Sequence, residues 1–271
     1  MIFVKGYGQM CNNWLQYAHL YVWGLENNVR VVSMRFSYKY KYFKISERRD
    51  HNTFTYLLAK LLIKTRLMKC LLPHSREDAL KDDVISALRN TPLIAFDGWA
   101  FRQPELMIKH SDDLRRLFAF RENTVAAKRA WLDTLPEAEI TLGVHIRRGD
   151  YATWLGGIAY FEDDVYAGMI SRFKALHTGK SIRVLIATND RKTDIELIRR
   201  ISGVNDVFVS DGNPGEDLFV LSQCDYIIGP RSSFSLVASF YNDVPIHWIE
   251  NKDDSITEDC FKHFNDLFMI I

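Results

Sequence analysis

Two adjacent arginines and an aspartate at the end of an apolar run are the residues best placed to do chemistry in this sequence. They lie in His145-Ile146-Arg147-Arg148-Gly149-Asp150-Tyr151, directly after the β-rich run Ile140 to Ile146. Alternation along a strand points His145 and Arg147 to one face, and Gly149 lets the chain turn. Arginine is permanently charged and presents a planar set of donors. One of the pair can therefore hold a diphosphate bidentately while Asp150 fixes the other. A plain surface Arg–Asp ion pair would use the same residues. A second set, Gly229-Pro230-Arg231-Ser232-Ser233-Phe234-Ser235, follows the short run Tyr226 to Ile228 and leads into the helix-like Leu236 to Phe240. Ser232 or Ser233 suits the cap of that helix. Its first amides, at the positive end of the helix dipole, would make a phosphate site with the serine hydroxyls, or the serines serve as a cap and nothing more.

Three further groups follow predicted strands. Asn189-Asp190 comes after Ile182 to Thr188, and Asp211 after Val207 to Val209; each is suited to a base, a ribose or a sugar hydroxyl, and equally to a turn. At the amino terminus, Gly6-Tyr7-Gly8-Gln9-Met10-Cys11-Asn12-Asn13-Trp14-Leu15-Gln16-Tyr17-Ala18 links the first strand to the first helix, with Gly8, Gln9, Asn12, Asn13 and Gln16 expected at an interdomain cleft. This loop lacks the Gly-Lys-Ser/Thr of a nucleoside-triphosphate loop and the third glycine of the dinucleotide fingerprint.

The elements that must position these residues alternate. Ile2 to Val4 and Val29 to Met34 read as strands around a helix from about Asn13 to Glu26, and 77–90 and 122–134 read as helices. Downstream, the five strand-like runs Ile140 to Ile146, Ile182 to Thr188, Val207 to Val209, Tyr226 to Ile228 and Ile246 to Ile249 are separated by helix-like segments at 162–177, 192–202, 215–224 and 233–241. Such alternation implies a mostly parallel sheet covered by helices, a Rossmann-type arrangement whose ligands bind beyond the carboxyl ends of the strands. Leu135-Pro136-Glu137-Ala138-Glu139 marks a domain boundary, giving domains of residues 1–136 and 137–271.

Composition narrows the function classes. The 271 residues are 47% hydrophobic and 25% charged, within the globular range. A net charge of +1 argues against a general nucleic-acid binder. The four cysteines, Cys11, Cys70, Cys224 and Cys260, are widely spaced and suit a reducing cytoplasm, and no Cys/His/Asp set suggests a metal. The short apolar start does not read as a signal peptide, and Lys60, Lys64, Arg66 and Lys69 interrupt the apolar segment Phe54 to Leu72, which excludes a membrane span. Residues 30–70 nevertheless hold eleven Lys or Arg against Glu47 and Asp50 alone. The 54–72 segment reads as one helix with an apolar face and a basic face, either packed on the core or resting on an anionic membrane.

His145 to Tyr151 resembles the His-x-Arg-Arg-Gly-Asp-Tyr signature of the α-1,2-fucosyltransferases (glycosyltransferase family 11-like) and their wider superfamily. Ser232-Ser233-Phe234-Ser235 is similar to that family's Ser-Ser-Phe-Ser motif. The Gly8-Gln9-Met10 segment with Gln16-Tyr17-Ala18 is similar to its Gly-Asn-Gln-Met-Phe-Gln-Tyr-Ala segment, from which Cys11-Asn12-Asn13 departs. The resemblance implies an α/β protein of two Rossmann-like domains facing a cleft (GT-B-like). It implies GDP-fucose held mainly by the carboxyl-terminal domain, a glycan acceptor on the amino-terminal side, and inverting transfer with no metal or cofactor. Arg147 would stabilise the departing GDP, with Arg148 and Asp150 shaping the site. His145, Asn189, Asp190, Ser232, Ser233, Phe234 and Ser235 would complete the donor side, with His145 as a positioner. Asp150 and the Glu162-Asp163-Asp164 run are the candidate bases.

Overall fold

A computed structural model describes residues 1–269. The chain divides into two compact units, Met1–Arg121 and a second from Glu122 onwards.

The first unit is built on β1 (Ile2–Val4), α1 (Met10–Glu26), β2 (Val31–Ser33), α2 (Thr53–Lys64), β3 (Cys70–Leu71), α3 (Arg76–Ala79), α4 (Asp82–Asn90), β4 (Ile94–Phe96), α5 (Pro104–Lys109) and α6 (Ser111–Leu117). Its four strands pair in parallel in the order β2-β1-β4-β3. The strand order reverses between β1 and β4, so a crevice is expected beyond their carboxyl ends. All residues of β1, β2 and β4 are buried, as parallel strands covered on both faces must be.

The segment expected as one helix over 54–72 is shorter and differently faced. α2 ends at Lys64, where the Thr65 hydroxyl donates to the Leu61 carbonyl. Arg66 then takes a left-handed φ of 61°, and the chain runs on into β3. Its apolar residues divide between two faces. Tyr56, Ala59, Leu62 and Ile63 pack toward Phe3, Val32, Met34 and Ala95. Phe54, Leu57, Leu58 and Leu61, spaced i, i+3, i+4, i+7, face outward and are exposed.

The second unit runs α7 (Glu122–Asp133), β5 (Ile140–Ile146), α8 (Asp163–Leu176), β6 (Ile182–Thr188), α9 (Ile195–Ser202), β7 (Val207–Val209), α10 (Pro214–Ser222), β8 (Tyr226–Pro230), α11 (Ser233–Asn242), β9 (Ile246–Ile249) and α12 (Phe264–Leu267). Its five parallel strands lie in the order β7-β6-β5-β8-β9, the doubly wound pattern with its switch point between β5 and β8. β5 is buried along its whole length. Its register carries Ile140 to Ile146 against Ile182 to Thr188, so Arg147 and Asn189 leave the sheet side by side.

The expected boundary at 136 falls inside this second unit. α7 belongs to it because Trp131, Leu132 and Leu135 pack against Leu185, Val220 and Cys224. No helix among the described residues is long and apolar enough to cross a membrane.

Candidate active site at the β5/β8 switch point

The end of β5 and the start of α11 are seated together by two close contacts. The His145 ring stacks on Phe234 with centroids 5.0 Å apart and planes 26° from parallel. Gly229 makes room for this: a Cβ there would stand 2.6 Å from the His145 carbonyl oxygen. Burial, followed by the charge of Arg147, pushes the His145 imidazole down to about 3. This shift favours the neutral imidazole, whose Nδ1 is buried without a partner among the described residues.

The two arginines leave β5 in different states. Arg147 is only partly covered and is held by Asp150, whose Oδ1 lies 2.7 Å from its Nη2. Its guanidinium also sits 5.6 Å over the Tyr151 ring. Arg148 turns the other way and is 7% exposed, bridging Asp163 at 2.5 Å and Asp190 at 3.0 Å. Asn189 grips the same residue through the backbone, accepting from the Arg148 N–H at 2.7 Å and donating to its carbonyl at 3.0 Å. Asp190 is held below the usual carboxylate range by the Lys192 backbone N–H and by Arg148.

The expected division, one arginine for a diphosphate and Asp150 on the other, does not hold: Asp150 pairs with Arg147, the arginine left partly exposed, while Asp163 and Asp190 bury Arg148. Arg148, Asn189 and Asp190, expected on the donor, are engaged with one another. Among the candidate bases, Asp163 is occupied by Arg148 and by the Asp194 N–H at 2.9 Å, whereas Glu162 and Asp164 are exposed.

At the other lip of the switch point, Ser232 caps α11 by accepting from the Phe234 N–H at 3.1 Å. Ser233 and Phe234 are half-buried in the first turn. Ser235, expected on the donor, is fully buried instead. Its hydroxyl donates to the Ser232 carbonyl and accepts from the Trp248 indole, which fixes the cap from beneath. Tyr151, given no role from sequence, ties the two lips together by donating to the Arg231 carbonyl at 2.9 Å. Its place in the motif was visible in the sequence; its partner, 80 residues away, was not. The arrangement offers one partly exposed guanidinium and one helix N-terminus at the carboxyl ends of the neighbouring strands β5 and β8, a combination suited to a diphosphate. Asp211, after β7, takes a φ of +42° and fits a turn.

A model of glycosyl transferase family 11 matches residues 96–257, more than half of the chain. The protein belongs to that family. It is thereby a glycosyltransferase, and the matched span contains both lips of the switch point. Solved fucosyltransferase structures share its fold. A POFUT1 complex with GDP-fucose is 12% identical with a TM-score of 0.63, covering 89% of this chain and 93% of that one. A GDP complex of an Arabidopsis thaliana FUT1 mutant is 12% identical with a TM-score of 0.57, covering 97% and 73%. The α-1,6-fucosyltransferase NodZ soaked with GDP-fucose is 14% identical with a TM-score of 0.53, covering 97% of each chain. No curated protein sequence matches the chain significantly.

In the first unit, the glycine loop is held by its own amides. Gly6 and Gly8 take left-handed φ values of 68° and 73°. Asn13 donates to the Gly8 and Gln9 carbonyls, and Gln16 donates to those of Tyr7 and Asn12. Both side chains are buried, so Asn13 and Gln16 shape this loop, whereas Gly8 and Gln9 are exposed and Asn12 is half-buried. Among the described residues, no group of three or more His, Cys, Asp or Glu side chains is placed to hold a metal ion.

Proposed function

We propose that this family 11 enzyme transfers fucose from GDP-fucose to a galactoside hydroxyl with inversion, forming an α-1,2 linkage without a metal ion. The observation that carries the reading is the meeting of the Arg147 strand end with the Ser232 helix start at the switch point, since these are the two segments that match fucosyltransferase motifs. The GDP-fucose in the POFUT1 and NodZ structures supports the same donor. The unit from Glu122 onwards takes the donor and Met1–Arg121 the acceptor side.

In the reaction, the acceptor oxygen bonds to the anomeric carbon as the bond from that carbon to the β-phosphate oxygen breaks. The electron pair leaves with GDP. Arg147 faces the growing phosphate charge, and the first-turn amides of α11 share it. Asp150 holds Arg147 in place and is the carboxylate beside it that takes the acceptor proton. Arg148, Asn189, Asp190 and Asp163 act as positioning residues that lock the strand end. Incubation with GDP-fucose and a panel of β-galactosides, with product linkage read by NMR, tests the reading. Transfer from a different nucleotide sugar, or GDP binding with no turnover of any sugar, would contradict it.

We further propose a peripheral contact between α2 and an anionic cytoplasmic membrane face. The support is the outward stripe Phe54, Leu57, Leu58 and Leu61, bordered by exposed Lys60 and Lys64 with Arg66 and Lys69 just beyond. Each cation near such a surface is worth roughly 1 kcal/mol, so reversing all four should abolish flotation with anionic vesicles while leaving GDP binding intact. A wild-type protein that never floats at low salt would leave α2 as a core-packing helix only.

A further inference from the structure

Two exposed aromatic rings meet at the switch point of the first unit. Tyr7 follows β1 and is 65% exposed; Trp99 follows β4 and is 47% exposed. Their centroids lie 5.9 Å apart with planes at 79°, so the rings form a corner. Exposed tyrosine and tryptophan are common singly, but this pair is built in place. Gln16 holds Tyr7 at both ends of its backbone, accepting from the N–H at 3.0 Å and donating to the carbonyl at 2.8 Å. Trp99 is held likewise: its N–H donates to Asp97 Oδ1 at 3.1 Å, and its carbonyl accepts from the buried Arg102 at 2.6 Å. The two loops also touch through Gly98, where a Cβ would lie 3.1 Å from the Gln16 Cβ. Gln16 thus fixes the Tyr7 loop and lies close against the Trp99 loop, which Asp97 and Arg102 fix.

We propose that Tyr7 and Trp99 form a carbohydrate-binding corner that receives a pyranose ring of the acceptor. The inference rests on the glycan-transferring function proposed above and adds the residues that would select its second substrate. A pyranose has apolar C–H faces and a hydroxyl rim. Covering the rings with such a face removes apolar surface from water, while the half-buried Asp97 at the same strand end can accept hydroxyl hydrogen bonds. Tyrosine and tryptophan have few rotatable bonds, and these two have fixed backbones, so little freedom is lost on binding. Two rings are too small a surface for a stable protein partner, which needs about 800 Å² on each side. The site lies where the order of the first sheet reverses, between β1 and β4, the usual place for a ligand in an open parallel sheet.

The test uses the intact chain and methyl β-galactoside as probe, without donor. The 15N indole signal of Trp99, assigned from the Trp99→Phe variant, should move saturably in a millimolar titration, and the movement should vanish in Tyr7→Ala. An indole signal that stays in place overturns the inference, whatever the donor chemistry proves to be. In transfer assays, Trp99→Ala should raise the acceptor KM about tenfold, the loss of one ring-stacking contact. It should leave the GDP-fucose KM and acceptor-independent GDP-fucose hydrolysis within twofold of wild type. Loss of hydrolysis and GDP binding in the wild-type protein would instead count against the proposed function. An unchanged acceptor KM in an active, folded Trp99→Ala protein would overturn the corner alone.

Discussion

Replacing Arg148 by methionine tests whether the strand end is locked by charge. The guanidinium is 7% exposed and bridges Asp163, 12% exposed, and Asp190, 23% exposed. Methionine roughly fills the volume but leaves two carboxylates without their shared counter-charge. Breaking a buried pair by removing one partner costs about 3–5 kcal/mol. We expect the lower end, about 3 kcal/mol, because Asp190 is partly solvated and each carboxylate keeps a backbone donor, from Lys192 and from Asp194. For a unit of this size each kcal/mol corresponds to roughly 2–4 °C, so the midpoint of the corresponding thermal transition should fall by about 6–12 °C. Arg148→Lys should recover only part of this, since a single ammonium cannot bridge both carboxylates with the same planar fork. Circular dichroism melts of the three proteins at neutral pH are the assay. An Arg148→Met midpoint within about 2 °C of wild type would refute the lock, because the loss would then lie below 1 kcal/mol.

Three further outcomes follow from the same geometry. Because burial drives His145 down to about 3, its neutral form is the folded one: its contribution is fully present above the ordinary histidine pKa and is lost as pH falls from there toward 3. His145→Phe, which keeps a ring against Phe234, should shift acid unfolding to lower pH; an unchanged acid midpoint would contradict the assignment. Ser232→Ala should cost about 1 kcal/mol of stability through the lost cap and also weaken GDP binding, whereas Ser235→Ala should leave GDP affinity within twofold, as equilibrium binding with paired urea melts would show. Transfer should persist in excess chelator, and a complete loss restored by one divalent ion would contradict the metal-independent reading.

Much of the second unit was legible because its strands are long or flanked by strong turn signals. β5 and β6 occupy the expected residues, Ile140–Ile146 and Ile182–Thr188, since buried parallel strands read as nearly continuous apolar runs. β3 and β4 went unread: two and three residues, Cys70–Leu71 and Ile94–Phe96, carry no periodicity. The end of α2 was hidden because its left-handed turn falls on Arg66 rather than on glycine. At the site, residue types at strand ends revealed the motifs, but partnership did not follow from them. Arg148 finds Asp163 and Asp190 at separations of 15 and 42 residues; the β5–β6 register brings Asp190 to it, and the start of α8 brings Asp163. Tyr7 was visible as part of the amino-terminal glycine loop, whereas nothing in the sequence singled out Trp99; only the adjacency of β1 and β4 shows that they meet.

Arg147 and the α11 start are expected to grip the diphosphate of GDP together. Calorimetric titration of GDP and of guanosine into wild type and Arg147→Ala tests it most directly. The substitution should weaken GDP binding at least tenfold, leave guanosine binding within about twofold, and lower transfer by about 100-fold or more. Equal GDP affinity in a folded Arg147→Ala protein would contradict it.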